Sequence, residues 1–216
     1  MKVPAIFSLL LVLGEAFASS AVDSNKPKVN LAKELQAEGF TIIPASFTGP
    51  YSPNNETITL HGTIQEVLAQ IRAANPSHHA LLASGANMPN SNYWNGPIPD
   101  VHPRGLDCSH GYFAKQFDIF FGISYLHDSV KDSARMEVPV CTRVSCSYDS
   151  AIYLCWEPHE GGPRKKEVSW DYVADFAWSI SKVWCPTIVL PDTKIGVRGK
   201  AWDNDGMAVI VGADDC

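Results

Sequence analysis

All six cysteines of this chain lie after residue 104, and their placement constrains the fold more than any other feature. Three of them fall in one short stretch, "CTRVSCSYDSAIYLC", from Cys141 to Cys155. Sulfurs this close hold a metal, do redox chemistry or staple a fold. The spacing C-x4-C with C-x8-C is not a common zinc pattern, and a CxxC redox motif is absent. Taken as a hairpin with Ser147, Tyr148 and Asp149 in the loop, the stretch sets Cys146 opposite Ser150 and Cys141 opposite Cys155. Directly opposed residues of an antiparallel pair lie about 4.5 to 5.5 Å apart, which suits a disulfide. Cys146 is five residues from Cys141, so a period of two sends it to the other face, toward Cys108, Cys185 or Cys216. Cys216 is preferred, because tying back a residue that follows a strand stops it fraying. That leaves Cys108 to pair with Cys185. On the chain-entropy model each loop contributes roughly 3 to 4.5 kcal/mol, and overlap makes the sum smaller.

An even cysteine count reads as disulfides in an oxidising compartment, and the start of the sequence supplies one. Lys2, an apolar run from Ala5 to Leu13 and the small-x-small Ala16-Phe17-Ala18 read as a secretory signal peptide over residues 1–18. The run is too short for a permanent span, and no later stretch reaches the ~20 apolar residues a span needs. The expected protein is therefore secreted and extracellular, without stable membrane insertion. The net charge of −6 argues against nucleic acid as a partner. Asn55-Glu56-Thr57 is the one glycosylation sequon, in a turn-like setting.

Residues 22–104 hold no cysteine and residues 105–216 hold all six, which suggests an extension over 19–104 layered on a disulfide-bonded domain over 105–216. In the extension, Asn30 caps a short helix to Glu38, stopped by Gly39, and "FTIIPASF" reads as a strand interrupted at Pro44. Thr63 with Glu66 forms a capping box ahead of Ile64, Val67, Leu68 and Ile71 at helical spacing, ended by Asn75-Pro76. Residues 84–105, rich in Asn, Pro and Gly, read as a long loop. In the second half, residues 109–128 read as a buried helix, with a strand as the alternative. A helix over 169–184 is capped by Ser169, stapled by Val168 and Val173, and striped by Val173, Phe176, Ile180 and Val183. The last segment gives two strands around Asp203-Asn204-Asp205-Gly206. The expected fold is α+β, an α/β sandwich with an antiparallel sheet of hairpins packed against two helices and stapled by three disulfides.

The common hydrolase signatures are absent. His159 and Glu160 with Arg164 offer acid/base chemistry of the secreted-ribonuclease kind, but a polar loop explains them better. His78, His79, His102, His110 and His127 share no helical or strand face, so loop and surface roles are expected, with no metal and no cofactor. Arg164, Lys165 and Lys166 offer a basic contact for an acidic partner or a solvated loop. Trp94, Trp156 and Trp202 lie in loop or turn contexts, where amphipathic aromatics often anchor binding, but core packing is the better reading of each.

The cysteine stretch, the Trp-rich helix ending at Cys185 and the last hairpin ending "DGMAVIVGADDC" resemble small secreted cysteine-rich proteins of filamentous fungi. They are similar also to the α/β-sandwich fungal killer toxins and related necrosis-inducing effectors. The likeness covers about residues 105–216. It implies Cys146–Cys216 and Cys185–Cys108 bridges, and it sets Arg143 near the place of a basic residue important to toxin action, at a different spacing. Killer toxins have more cysteines and no counterpart of residues 22–104.

Together these features describe a secreted, non-enzymatic binding protein, effector-like and fungal in type. Its expected partner is an extracellular host protein, and inhibition of a host protease in suppression of host defence is the concrete version. Loops 88–104 and 156–167, with Trp94, Trp156, His159, Arg164 and Lys165, are the expected contact surface. A killer-toxin-like antimicrobial acting through Arg143 and a secreted ribonuclease using His159 are the alternatives.

Overall fold

A computed structural model describes residues 30–76, 98–128, 133–137, 140–157 and 165–216, and the expected signal peptide lies outside them. The first half builds α1 (Leu31–Ala37), β1 (Thr41–Pro44), β2 (Ser46–Gly49), β3 (Ile58–His61) and α2 (Ile64–Ala74). The second half continues with β4 (Gly105–Asp107), β5 (Ala114–Lys115), α3 (Gln116–Asp128), β6 (Ser133–Glu137), β7 (Val140–Ser147), β8 (Ser150–Trp156) and β9 (Lys165–Ser169). It closes with α4 (Trp170–Ser179), a π-helical turn over Ile180–Trp184, β10 (Ile188–Val189), β11 (Ile195–Val197), β12 (Gly199–Trp202) and β13 (Met207–Ala213).

Local capping sets the helix starts. The Asn30 side chain accepts from Lys33 N, Thr63 and Glu66 close a reciprocal capping box, and Ser169 accepts from Tyr172 N. Each side chain satisfies amide donors that a first helical turn leaves without partners. Val168 and Val173 are both buried, as a staple requires. The expected stripe on the second long helix fails at its end. Val183 is 44% exposed, because the backbone widens into a π-helical turn at Ile180 and shifts the phase of the side chains that follow. α3 is likewise shorter than the 109–128 reading, since Ala114 and Lys115 pair with β11 before the helix begins.

The main sheet has six strands in the order β1-β7-β8-β13-β12-β4. Every pairing is antiparallel except β1 with β7, so the first half of the chain supplies an edge strand of the same sheet. The sheet separates two apolar clusters. On one side Val144, Ile152, Leu154, Trp156, Ala201, Met207, Val209 and Val211 meet the buried faces of α2, α3 and α4. On the other, Cys141, Cys146, Ala151, Tyr153, Cys155, Ala208 and Ile210 meet Leu31 and Leu35 of α1. Strands β8 and β13 are buried on both faces and so read as continuous apolar runs rather than alternating ones.

The β7–β8 hairpin departs from the expected register in a way that matters for the sulfurs. Its turn is two residues long, Tyr148 and Asp149, with φ of 48° and 60°, and Ser147 pairs with Ser150. Both central residues in the left-handed region make the primed turn that matches strand twist. Cys146 therefore faces Ala151, not Ser150. A bulge at Val144, between Arg143 and Ser145, then restores Cys141 to its place opposite Cys155. One extra residue turns Val144 and Ser145 both toward the helices and returns Cys146 to the side of Cys141. The expected split of these cysteines between two faces is thus corrected: Cys141, Cys146 and Cys155 all lie on the α1 side.

The sulfurs pair as Cys108–Cys185, Cys141–Cys155 and Cys146–Cys216, with Cα separations of 5.3, 4.0 and 5.5 Å. Cys141 and Cys155 occupy each other directly across the hairpin, so Cys146 reaches the residue beyond β13.

The bulge has a visible partner. β1 stops pairing at Pro44 opposite Arg143, which leaves the outer edge of β7 beyond that point without a strand. Gln65 of α2 covers it: its Oε1 accepts from Cys146 N at 3.1 Å and its Nε2 donates to Ser145 Oγ at 2.8 Å. Gly122 lets α3 lie against the same spot, since a Cβ there would fall 2.3 Å from Ser145 Oγ.

Candidate functional site

Trp94, His159 and Arg164 lie outside the described residues, and so do the side chains of Lys165 and Lys166 at the start of β9. Of loop 88–104 only residues 98–104 are described, with Ile98 65% exposed and His102 paired to Asp100 at 3.1 Å in solvent. Trp156 is not a surface anchor. It ends β8 on the parity of Ile152 and Leu154, is 1% exposed and belongs to the helix-side core. Asn55 stands exposed in a turn with φ of 60°.

Arg143 is drawn into a polar hub on the α1 side of the sheet. Its Nη1 donates to Asp214 Oδ2 at 3.0 Å and to the Asp215 carbonyl at 3.0 Å. Asp214 also accepts from Tyr153 OH at 2.7 Å and from Leu31 N, the first amide of α1, at 2.9 Å. The hub thus ties α1, β7 and β8 to the segment after β13, next to the Cys146–Cys216 bridge. Burial works against the Arg143 charge, but the Asp214 hydrogen bond and its charge outweigh it and raise the guanidinium pKa. Burial first, and then the Asp214 carboxylate, raise the Tyr153 phenol far above its ordinary value. With a locked phenol and a paired guanidinium, this group holds the structure together and offers no nucleophile.

His127, in the last turn of α3, sits between two carboxylates of α4. Its Nδ1 lies 3.0 Å from Asp171 Oδ1 and its Nε2 lies 3.1 Å from Asp175 Oδ1. The expected loop or surface role for this histidine is corrected, since its side chain is only 18% exposed. Burial opposes its charge, yet Asp175 and then Asp171 raise its pKa above the ordinary histidine value. While it carries both protons, the imidazole has no lone pair for base catalysis or for a metal. Among the described residues no group of three or more His, Cys, Asp or Glu side chains could hold a metal ion.

The apolar surface of the described residues is richest on the β10–β11 hairpin. Ile188 is 40% exposed, Val189 70% and Ile195 42%. The tip is fixed rather than loose. Leu190 N donates to Lys194 O at 2.8 Å, Thr193 N to Leu190 O at 2.9 Å, and Asp192 pairs with Lys194. Thr193 holds a φ of 65°, a conformation that costs a β-branched residue energy. Ile188 and Leu190 pack over Gly196, where any side chain would strike them. The hairpin is held through β11 to β5, and the Cys108–Cys185 bridge fixes the chain three residues before β10. The sequence reading missed this surface, although "IVLPDTKI" carries its signal as apolar residues flanking a Pro-Asp turn.

No helix among the described residues is long and apolar enough to cross a membrane. Comparison with protein-family models, with curated proteins and with solved structures finds no match.

Proposed function

We propose that the protein is a secreted, effector-like binding protein of fungal type that acts on an extracellular host protein, with a host protease as the concrete target. In this reading the sheet and its helices form an α/β sandwich, and the disulfides keep it intact outside the cell, where reductants are scarce and proteases are not. The observation that carries the reading is the rigid β10–β11 hairpin, which exposes Ile188, Val189 and Ile195 beside a strained tip. Exposed apolar side chains on a braced element are the ordinary make-up of a protein-binding patch, and rigidity lowers the ordering cost of binding. The two well-formed charged groups satisfy their own partners, which favours recognition over catalysis.

The test is affinity capture from host extracellular fluid with the wild type and with V189D/I195D, followed by residual-activity assays on the captured proteases. A partner retained by the wild type and lost by the double variant is the expected result. Equal capture by both proteins, or no captured partner, overturns the reading.

A further inference from the structure

We propose that His127, Asp171 and Asp175 form a pH-controlled clasp between α3 and α4, closed while the imidazole carries two N–H groups and slackened once it has lost one. The geometry requires both protons. Nδ1 is 3.0 Å from one carboxylate and Nε2 is 3.1 Å from another, and a neutral ring has a single N–H. On deprotonation the proton passes to solvent, and one ring nitrogen then points a lone pair at a carboxylate oxygen. That contact is repulsive, so one of the two bonds opens.

The clasp is built from complementary helix ends. His127 lies in the last turn of α3, where a cation is favoured, and Asp171 lies in the first turn of α4, where an anion is favoured. Asp175 is four residues beyond Asp171 and so stands on the same face of α4. Among the described residues the charges on the other elements packed against α3 are paired elsewhere or exposed to solvent. Arg143 of β7 is turned to Asp214 on the far face of the sheet. Lys115 of β5 acts on Asp118 at the opposite end of α3. Glu66 of α2 is bound to Thr63, and Arg72 of α2 is exposed. Strands β8 and β11 contribute no Asp, Glu, Lys, Arg or His. Among the described residues the ring answers chiefly to Asp171 and Asp175, and both hold it charged to a higher pH than an ordinary histidine.

The device works in one direction. At acidic pH α3 and α4 are locked together at this end, and as the pH rises the last turn of α3 opens more often. The experiment is a long-range 1H–15N correlation of the imidazole nitrogens in the oxidised protein, run with amide hydrogen exchange from about pH 5.5 to about pH 8.5. The ring is expected to be more than half charged at about pH 6.5, where an unperturbed histidine is half neutral. After correction for intrinsic exchange, opening at residues 124–128 is expected to rise about tenfold across the range, as the loss of one charge-assisted hydrogen bond implies. His127→Gln should abolish that pH dependence, and Asp175→Asn should move the ring titration to lower pH. A ring already half neutral at or below about pH 6.5, or exchange with the same pH dependence in His127→Gln, overturns the proposal.

Discussion

Replacing Asp214 by Ala removes one acceptor from three donors at once. Tyr153 OH and Leu31 N, at 2.7 and 2.9 Å, are buried with it. A buried donor left without an acceptor costs about 1 to 3 kcal/mol, so these two account for roughly 2 to 6 kcal/mol. Arg143 adds less, because its side chain is 31% exposed and water takes over part of the lost contact. A total loss of about 3 to 7 kcal/mol is expected, a range that includes the cost of breaking a buried ion pair by removing one partner. That is a large share of the 5 to 15 kcal/mol by which domains are stable. Guanidinium unfolding followed by tryptophan fluorescence measures the loss, with the Cys146–Cys216 bond verified in each sample so that lost oxidation is not mistaken for lost packing. Asp214→Asn keeps the shape and one acceptor and should fall between the wild type and Asp214→Ala. Hydrogen exchange should show α1 released first, because Leu31 opens that helix. A loss below about 1 kcal/mol for Asp214→Ala, or an α1 that stays protected, would refute the assignment of Asp214 as the tie between the two ends of the fold.

Gln65→Ala strips the bulged segment of β7 of its acceptor for Cys146 N and should lower stability by about 1 to 2 kcal/mol in the same assay. Gly122→Ala should destabilise by about 1 to 3 kcal/mol, since crowding against Ser145 outweighs the gain in helix propensity; Ser145→Gly in the same chain should recover part of the loss. Asp118 is held above the usual carboxylate range by burial, which Lys115 and Lys194 only partly offset. A raised carboxyl pKa costs stability above that pKa and nothing below the unfolded value, so Asp118→Asn should exceed the wild type at about pH 7 and lose the advantage as pH falls toward about 3. Unfolding midpoints across that range provide the check.

What could be read from the residues was whatever is decided locally. Asn30, Thr63 with Glu66, and Ser169 cap their helices because a capping hydrogen bond spans only three residues. The Val144 bulge is different in kind: it depends on Gln65 and Gly122, which approach from helices distant in sequence. Nothing within "CTRVSC" announces it, and two non-glycine residues with positive φ gave no warning of the short turn. The face of Cys146 was therefore misread, while its bridge to Cys216 matches the structure because that choice rested on the segment after the last strand. For Trp156 core packing was the better of two readings, and its parity with Leu154 and Ile152 agrees with the burial found; its place on the expected contact surface is what the structure removes. Asp171 and Asp175 could be placed on one face of a helix from their spacing. Their histidine, on another helix, could not.

The position of β13 has a consequence for how the molecule is made. It lies between β8 and β12 in the sheet, yet in sequence it follows β8 by about fifty residues. A chain emerging from its N-terminus can close the β7–β8 hairpin and add β1 early, but β4 and β12 have no route to that half until residues 207–213 arrive. The sheet is complete only when β13 pairs with both β8 and β12 and covers their edges. Such long-range closure is slow, and the open edges of β8 and β12 are the places where a stalled chain would pair with its neighbours.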